Sequence, residues 1–317
     1  MSRRRVLLLL KPFDVFPSRR TEGISSSLPR IKYPQVKHYL DDRYRVHKDT
    51  INYCQNVLCQ KSLDWEPLLR NNLCQPISNV DLVISVGGDG TLLQASHFMD
   101  DSIPILGVNS DPTKPEEVKE LSGEFDATRS TGYLCAATAG NFEQVLDKIL
   151  EGFMAPSEVS RISISLNGQV LSTYALNDVL VAHPCPATIS RISFLLKTDG
   201  EVSSPLVNCR SSGLRVSTAA GSTAAMLSAG GFPMPILCDD LQYMVREPIL
   251  TEAANSNLMH GIIKSDQTMY MAWHSKEGFI YIDGSNMFQS IQHGDVIELS
   301  SMAPILKVFL PPHLLRT

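Results

Sequence analysis

A buried strand that breaks at a pair of glycines and continues into a helix is the feature that most restricts how this chain can fold. Residues 80–86 are β-branched and apolar apart from Asp81 and Ser85, and Gly87-Gly88 follows at once. Residues 91–98 can then form a short helix. A buried strand joined to a helix by a glycine turn is typical of an α/β layer with parallel strands.

The rest of the first third repeats this alternation of strand and helix patterns. Residues 6–10 form an apolar run of strand length, and residues 103–108 form another. Between residues 46 and 61, apolar side chains recur at helical spacing along one face. We therefore expect residues 1–125 to form an α/β domain, Rossmann-like and with a parallel sheet, that carries the glycine turn.

After residue 125 the patterns become mostly those of strands. Asn141 can cap a short helix, and Asn167-Gly168 can form the tight turn of a hairpin. The later strand patterns lie between turn signals, at residues 190–197, 214–217, 269–273, 279–282 and 296–299. We expect residues 126–317 to form a β-rich, β-sandwich-like domain, with about the last 20 residues packing back on the first domain. Residues 12–32 and 111–124 are expected to be loops or insertions.

Composition limits the classes of partner. The chain has 317 residues, a length that favours two domains, and 43% of them are hydrophobic, which supports a sizeable core. The net charge is −5 and no basic stripe is present, so we expect no nucleic-acid partner. A phosphorylated small molecule stays possible, because backbone dipoles can hold phosphate without net positive charge.

The same sequence predicts no membrane partner and a location inside the cell. No apolar run approaches the roughly 18 residues of a membrane span. The seven cysteines contain no C-x-x-C pair and indicate reduced thiols. We expect a cytoplasmic protein; a peroxisomal location stays open, although the last residues do not form the S-K-L signal.

The glycine turn also offers chemistry. Gly88 and Gly90 let a ligand approach backbone N–H groups, and the helix start near Thr91 favours phosphate. Asp89 is the single carboxylate of this turn and could accept a proton from a hydroxyl nucleophile. The alternative is that Asp89 only caps the helix. The segment matches neither the P-loop nor the G-x-G-x-x-G dinucleotide pattern.

Two weaker motifs lie in the second half. Gly221–Thr223 forms a strand–helix corner whose small side chains could admit a flat or anionic ligand, although simple packing explains it equally well. Asn177 and Asp178 interrupt an apolar run and need partners if they are buried. A strand end at a binding cleft and an ordinary turn or bulge both account for them. The histidines and cysteines follow no metal-binding pattern, so no protein metal site is expected.

Taken together, these motifs resemble those of the NAD kinase family. The residues that carry the resemblance follow one another in the family's order: Gly87-Gly-Asp-Gly-Thr91, Asn177-Asp178, Ser212-Gly-Leu with Gly221-Ser-Thr-Ala224, Asp283-Gly284 and His293-Gly-Asp295. The glycine–aspartate motif also occurs in diacylglycerol-type lipid kinases and phosphofructokinases, whereas the Gly-Ser-Thr-Ala segment is more specific. Its Ala-Ala-Gly-Ser-Thr-Ala-Ala form resembles most the plant NADH kinases.

The resemblance implies a kinase that uses ATP and Mg²⁺ or another divalent cation to phosphorylate the adenosine ribose 2′-hydroxyl of NADH and NAD⁺. It implies that Asp89 is the catalytic base, that the second domain binds nucleotide and that the chain forms a homodimer. Asn177 and Asp178 would bind the adenosine portion. The implied nucleotide-binding residues are Gly88, Gly90, Thr91, Asn177, Asp178, Ser212, Gly221, Ser222 and Thr223.

The chain departs from the family pattern in places. Family members commonly carry Asp-Gly where this chain has Ser212-Gly213, Thr-Pro-Thr where it has Thr218-Ala-Ala220, and Tyr where it has Ala225. A Gly-rich continuation after Asn109 is replaced by residues 110–115. Oxidised nicotinamide is cationic and the reduced ring is neutral. If the family's aspartate lies near that ring, Ser212 removes an attraction for NAD⁺ of about 1 kcal/mol, and we hypothesise a preference for NADH.

Two other functions stay open. A lipid kinase could use the same glycine–aspartate turn, but it predicts a membrane-docking surface that the sequence does not clearly display. A non-catalytic dinucleotide sensor would bind without transferring phosphate. Asp89 argues against a sensor, while Ala219, Ala220 and Ala225 keep it open.

Overall fold

The computed structural model describes residues 3–13, 34–249 and 256–315. The chain divides into two units, one of Met1–Pro156 with Lys307–Arg316 and one of Ser157–Leu306. The division falls after Pro156 and not at residue 125, because the segment in between packs on the first unit: Phe142 and Leu146 are buried in the core of its sheet. The loop expected at residues 12–32 lies almost entirely outside the described residues.

The first unit is built on a parallel sheet. Its strands are β1 (Arg5–Leu10), β2 (Asp64–Leu69), β3 (Leu82–Gly87), β4 (Ile105–Asn109), β5 (Ala137–Thr138) and, late in the chain, β20 (Leu306–Phe309). Its helices are α1 (Pro34–Gln60), α2 (Asp89–Ser96), α3 (Pro115–Leu121) and α4 (Phe142–Leu150). Among these strands the order is β2-β1-β3-β4-β20, with β5 also beside β4, and each neighbouring pair is parallel.

This sheet follows from the apolar runs of the sequence. β3 and β4 are buried along their whole length, as expected for parallel strands covered on both faces. β2 lies at the edge, where Pro67 is tolerated because one side of the strand is unpaired. The order reverses between β1 and β3, and a crevice forms at the carboxyl ends of the strands at such a switch point. The glycine turn lies at this edge.

The expected loop at residues 111–124 contains a helix, which corrects that expectation. Pro115 stands at the first helical position, Glu116 and Glu117 occupy the first turn, and Lys119 lies in the last turn of α3. Each of these residues is favoured where it stands, since proline needs no N–H there and the charges complement the helix dipole. The helix is short and lacks buried residues, so it has no apolar periodicity to reveal it.

The second unit is β-rich. Its strands are β6 (Ser157–Val159), β7 (Ser163–Leu166), β8 (Gln169–Val170), β9 (Asp178–Ala182), β10 (Ser190–Thr198), β11 (Glu201–Val202), β12 (Val207–Ser211), β13 (Gly213–Ser217), β14 (Leu241–Arg246), β15 (His260–Ile263), β16 (Gln267–Trp273), β17 (Glu277–Ile282), β18 (Met287–Gln292) and β19 (Val296–Ser300). Helix α5 (Ala225–Ser228) follows the Gly221–Thr223 corner.

The strands other than β6 form two antiparallel sheets. One has the order β11-β10-β16-β19-β7-β8 with β12 beside β10, and the other has the order β15-β14-β13-β9-β17-β18. Alternate residues of both sheets share one apolar core, which includes Val179, Phe194 and Trp273. The β-sandwich-like domain is therefore confirmed. Across the described residues, no helix combines the length and the apolar character needed to cross a membrane.

Candidate functional site

The turn between β3 and α2 admits only glycine without rearrangement. A Cβ atom on Gly87 would lie 2.2 Å from Thr91 Oγ1, and one on Gly88 would lie 2.2 Å from Ser130 Oγ. Gly88 caps α2 with extended backbone, and Asp89 is the first residue of the helix. The backbone of this turn is therefore as closely packed as the sequence pattern indicates.

The carboxylate of Asp89 is held by a distant segment of the chain. Oδ2 accepts a hydrogen bond from the Tyr133 amide at 2.8 Å, and Oδ1 accepts one from the Leu134 amide at 2.8 Å. Asp89 is half-buried, and its side chain makes no capping hydrogen bond to the start of α2. The alternative role of Asp89 as a helix cap is therefore not what the structure shows.

Two cationic side chains lie at the same edge of the sheet, and neither was predicted as a site residue from the sequence. Lys11 follows β1, and its backbone amide donates to Val86 O at 2.9 Å. Arg70 follows β2 and donates from Nη1 to Thr91 Oγ1 at 3.3 Å. Burial lowers the pKa of Lys11, and Arg43 and Arg70 lower it further, against the opposing effect of Asp111. Lys11 could have been found from the sequence, because it directly follows the apolar run that ends at Leu10. Arg70 could not, because it follows β2, which was not predicted.

The side chain of His47, on α1, contacts residues at this same edge of the sheet. Its ring is fully buried, with Nδ1 2.7 Å from Ser110 Oγ and Nε2 3.0 Å from Lys11 O. The Ser110 amide donates to Gly87 O at 2.7 Å. Burial lowers the pKa of His47. The imidazole thus connects the carboxyl ends of β1 and β4 beside the glycine turn.

In the second unit, Asp283 fixes the Asn177-Asp178 pair. Its carboxylate accepts hydrogen bonds from the amides of Leu176 at 2.8 Å, Asn177 at 2.7 Å and Asp178 at 2.9 Å. Asp283 and Gly284 form the turn between β17 and β18, both with positive φ. Asn177 directly precedes β9, so the strand-end explanation of this pair fits the structure.

The Gly221–Thr223 corner packs against the same pair. A Cβ atom on Gly221 would lie 2.1 Å from Asn177 O, so the two backbones touch. The Ser222 hydroxyl donates to Ala219 O at 2.7 Å and accepts from the Met234 amide at 2.8 Å, which gives it a structural role. The side chain of Thr223 is half-buried.

Two buried polar atoms beside this corner lack partners. Within the described part of the chain, Asn177 Oδ1 and Arg215 Nε have no hydrogen-bond partner. Arg215 Nη1 pairs with Asp178 Oδ2, yet burial raises the pKa of Asp178 to about 6 despite that cation. An unsatisfied buried oxygen is unusual and marks a position where a ligand could donate. Arg215 gave no signal in the sequence.

The expected site residues thus fall into two sets. Gly88, Asp89, Gly90 and Thr91 share the turn of the first unit, and Asn177, Asp178, Gly221, Ser222 and Thr223 are gathered in the second.

Ser212 donates from its amide and its hydroxyl to Arg246 O, at 3.0 and 3.3 Å. No group of three or more histidine, cysteine, aspartate or glutamate residues among those described could hold a metal ion.

Comparisons with known proteins identify the family. A sequence model described as the ATP-NAD kinase N-terminal domain matches residues 33–111. A rice (Oryza sativa subsp. japonica) protein named probable NADH kinase is 61% identical over 100% of this chain and 99% of its own length. An Arabidopsis thaliana NADH kinase is 59% identical over 98% of this chain and 96% of its own.

Solved structures share the fold. An NAD kinase from Archaeoglobus fulgidus in complex with ATP has a TM-score of 0.64 at 20% identity, covering 98% of this chain and 95% of its own. Yeast NADH kinase complexed with NADH has a TM-score of 0.65 at 14% identity, covering 97% and 84%. They support the combination of an α/β unit with a β-rich unit. The motifs, the fold and the full-length identity to the plant proteins agree: the chain belongs to the NAD kinase family.

Proposed function

We propose that this chain is an ATP-dependent kinase that phosphorylates the adenosine ribose 2′-hydroxyl of NADH, giving NADPH, and that also accepts NAD⁺. The observation that carries this proposal is the Asp89 carboxylate, fixed by two amides at the turn between β3 and α2. The names of the rice and Arabidopsis relatives support NADH as the acceptor. The ATP and NADH in the two solved relatives support both substrates.

Asp89 has the chemistry of a base for this transfer. The 2′-oxygen forms a bond to the γ-phosphorus, the bond from that phosphorus to the bridging oxygen breaks, and ADP leaves. The hydroxyl proton passes to Asp89. A carboxylate has about four lone-pair sites. The Leu134 amide and the Cys135 thiol, 3.8 Å away, occupy two on Oδ1, and the Tyr133 amide occupies one on Oδ2, which leaves a site on Oδ2 for the hydroxyl.

The phosphates need positive charge from several sources. Lys11 and Arg70 supply it at the edge of the sheet where Asp89 lies, and the amides at the start of α2 add their dipoles. Mg²⁺ accompanying ATP would be held mostly by phosphate oxygens and would neutralise the charge of the transferred group. We expect Gly88, Gly90 and Thr91 to lie against these phosphates.

The second unit supplies groups for the dinucleotide. The unpaired Oδ1 of Asn177 can accept a hydrogen bond from the adenine amino group or a ribose hydroxyl. Asp178 offers a further carboxylate for the adenosine portion, and Gly221 keeps the corner free of side-chain bulk. Ser222 acts through the backbone it fixes, since its hydroxyl already has two partners.

The assembly and the compartment are part of the same proposal. Membership of the family supports a homodimer and Mg²⁺ as the accompanying cation. All seven cysteines lie among the described residues and are free thiols, which supports a reducing compartment, for which we propose the cytoplasm.

The test is a direct assay of the purified chain with ATP, Mg²⁺ and one of three acceptors: NADH, NAD⁺ or diacylglycerol. We expect NADPH from NADH. Phosphatidic acid formed from diacylglycerol would favour the lipid kinase, and dinucleotide binding without any product would favour the sensor.

The Asp89→Asn variant tests the base. We expect turnover to fall about 10²- to 10⁴-fold, because the amide cannot take the proton, while the Kd for NADH changes little. Asp81→Asn is the matched control. Asp81 is exposed next to the amino end of β3, and its carboxylate also accepts a backbone amide, that of Arg5 at 2.7 Å. Near-normal turnover of Asp89→Asn would reject the assigned role.

A further inference from the structure

Between β4 and β5 the chain leaves the sheet edge and comes back to the same place. We call residues 110–131 the excursion. Asn109 Nδ2 donates to Ser130 O at 3.1 Å, and the Ser130 amide donates to Asp111 O at 3.1 Å. A Cβ atom on Gly132, whose φ is +63°, would lie 2.3 Å from Asn109 Nδ2. The two ends of the excursion are therefore held side by side.

The returning end of the excursion leads directly into the partners of the proposed base. The amides that hold the Asp89 carboxylate belong to Tyr133 and Leu134, directly after this return. The hydroxyl of Ser130 also packs against Gly88. The direction of the carboxylate therefore depends on where residues 130–134 are held.

A buried ion cluster holds the residue just before this segment. We define the Arg129 cluster as Arg129, Asp42, Asp111 and Glu117. The side chain of Arg129 has 0% exposure. Its guanidinium donates to Asp111 Oδ1 at 2.8 Å, to Asp42 Oδ2 at 2.7 Å and to both Glu117 oxygens, at 2.7 and 2.6 Å.

The cluster joins segments that are far apart in the sequence. Asp42 lies on α1, Glu117 lies on α3, and Asp111 follows β4. Tyr39 of α1 places its ring 5.3 Å from the Arg129 guanidinium, and its hydroxyl donates to Thr128 O at 2.9 Å. A planar guanidinium with fixed donor directions constrains such partners more tightly than an ammonium does. The cluster thus fixes the returning end of the excursion against two helices.

Arg129 and Asp42 each favour the charged form of the other. Burial acts to lower the pKa of Arg129, but Glu117, Asp42 and Asp111 raise it above the ordinary value. Burial acts to raise the pKa of Asp42, but hydrogen bonds from Arg129, Lys114 and Arg45 hold it well below its usual range. The bond between Arg129 and Asp42 is therefore not lost by titration of either residue near neutral pH.

We propose that Arg129 is a positioning residue of the kinase, which holds the Tyr133 and Leu134 amides where they orient the Asp89 carboxylate. This inference rests on the proposed function. It assigns a catalytic purpose to the excursion, the segment in which the chain departs from the Gly-rich family pattern.

The test compares kcat and KM in three single variants. Arg129→Lys keeps the charge and loses the planar fork. Glu117→Gln weakens the two hydrogen bonds between Arg129 and Glu117 at a less buried position. It provides the test if Arg129→Lys folds poorly. Arg45→Gln is the control, because Arg45 bonds Asp42 at the rim with a 69% exposed side chain. We expect kcat to fall about 10- to 100-fold in the first two variants, with the KM for NADH and for ATP nearly unchanged.

A double-variant cycle separates positioning from general stability. If Arg129 acts through Asp89, adding Arg129→Lys to Asp89→Asn should lower the residual turnover by less than about threefold. The positioning role would be overturned if Arg129→Lys lowered turnover equally in the wild-type and the Asp89→Asn backgrounds. It would also be overturned if Arg45→Gln too lost kcat in proportion to its loss of Tm. Absence of NADPH formation by the wild type would instead reject the proposed function itself.

Discussion

At Ser212 a hydroxyl stands where a carboxylate is common in the family, and the structure shows what it does. The hydroxyl and the amide both donate to Arg246 O. Arg215 and Arg246 line a nearby cavity of about 640 Å³ together with Glu247. A neutral side chain in such surroundings adds no attraction for a cationic ring, which agrees with the hypothesis that NADH is preferred.

Replacing Ser212 tests this electrostatic explanation. We expect Ser212→Asp to shift the ratio of kcat/KM for NADH over NAD⁺ several-fold toward NAD⁺, because a new charge in a partly exposed cleft contributes about 1 kcal/mol. Ser212→Asn is the control of equal size without charge. The ratio is measured by initial rates with both acceptors. If Asp and Asn shift it equally, charge is not the cause.

The sequence revealed the site residues better than their partners. Asp89 stands out because it is the single carboxylate in a glycine turn, and Asn177-Asp178 because two polar residues interrupt an apolar run. The amides of Tyr133 and Leu134 lie 44 and 45 residues beyond Asp89, and no local pattern predicts a bond over that distance. Partners of this kind are set by tertiary packing.

Among the structural elements, the turn between β17 and β18 has an effect beyond joining two strands. Its Asp283 carboxylate satisfies three consecutive amides before and at the start of β9. Asp-Gly is a common turn pair, so the dipeptide by itself indicates no more than a hairpin turn there. The strand-end geometry of Asn177 thus depends on an element about 100 residues later in the chain.

We expect Asp283→Asn to lower the free energy of unfolding by about 1–3 kcal/mol and to weaken NADH binding. The new amide can accept only at its oxygen, so at least one buried N–H loses its partner. Asp199→Asn is the matched control, because Asp199 has the same φ of +51° as Asp283 and also precedes a glycine, but is exposed at the tip of a hairpin. Denaturant unfolding and NADH titration measure both effects. Equal losses in the two variants would contradict this role of Asp283.

Elements with strong apolar patterns were predictable, and those without were not. The buried apolar runs predicted β1, β3 and β4, and the Asn167-Gly168 pair predicted the hairpin of β7 and β8. Both turn residues have positive φ in the structure. β2 was missed because it is an exposed edge strand, and α3 because none of its residues is buried. Their stability comes from pairing and ion contacts with distant segments, which sequence periodicity does not report.

At the scale of the whole molecule, the seven thiols differ in burial, and we expect them to differ in reactivity for that reason. Cys59, Cys74 and Cys185 are exposed, whereas Cys54 and Cys135 are buried. Burial raises the pKa of Cys54 to about 12, and burial together with Asp89 raises that of Cys135 well above its usual value. The thiolate is the reactive form, so both effects slow alkylation.

We therefore expect a native sample to be alkylated rapidly at Cys59, Cys74 and Cys185, and slowly at Cys54 and Cys135. Mass spectrometry of tryptic peptides after timed treatment with iodoacetamide measures this order. The same reaction in 6 M guanidinium should label all seven at similar rates, since unfolding removes the protection. Rapid native labelling of Cys135 would contradict the packing described around Asp89.

The position of β20 has a consequence for how the protein is made. β4 pairs with β20, so the parallel sheet of the first unit is complete only when the ribosome has synthesised the chain through Phe309. The second unit is one continuous stretch that ends at Leu306, immediately before the last segment of the first unit. Domains usually fold in order from the amino terminus during synthesis. Here the first unit cannot complete its sheet before the second unit has been made, and β4 stays without its β20 partner until then.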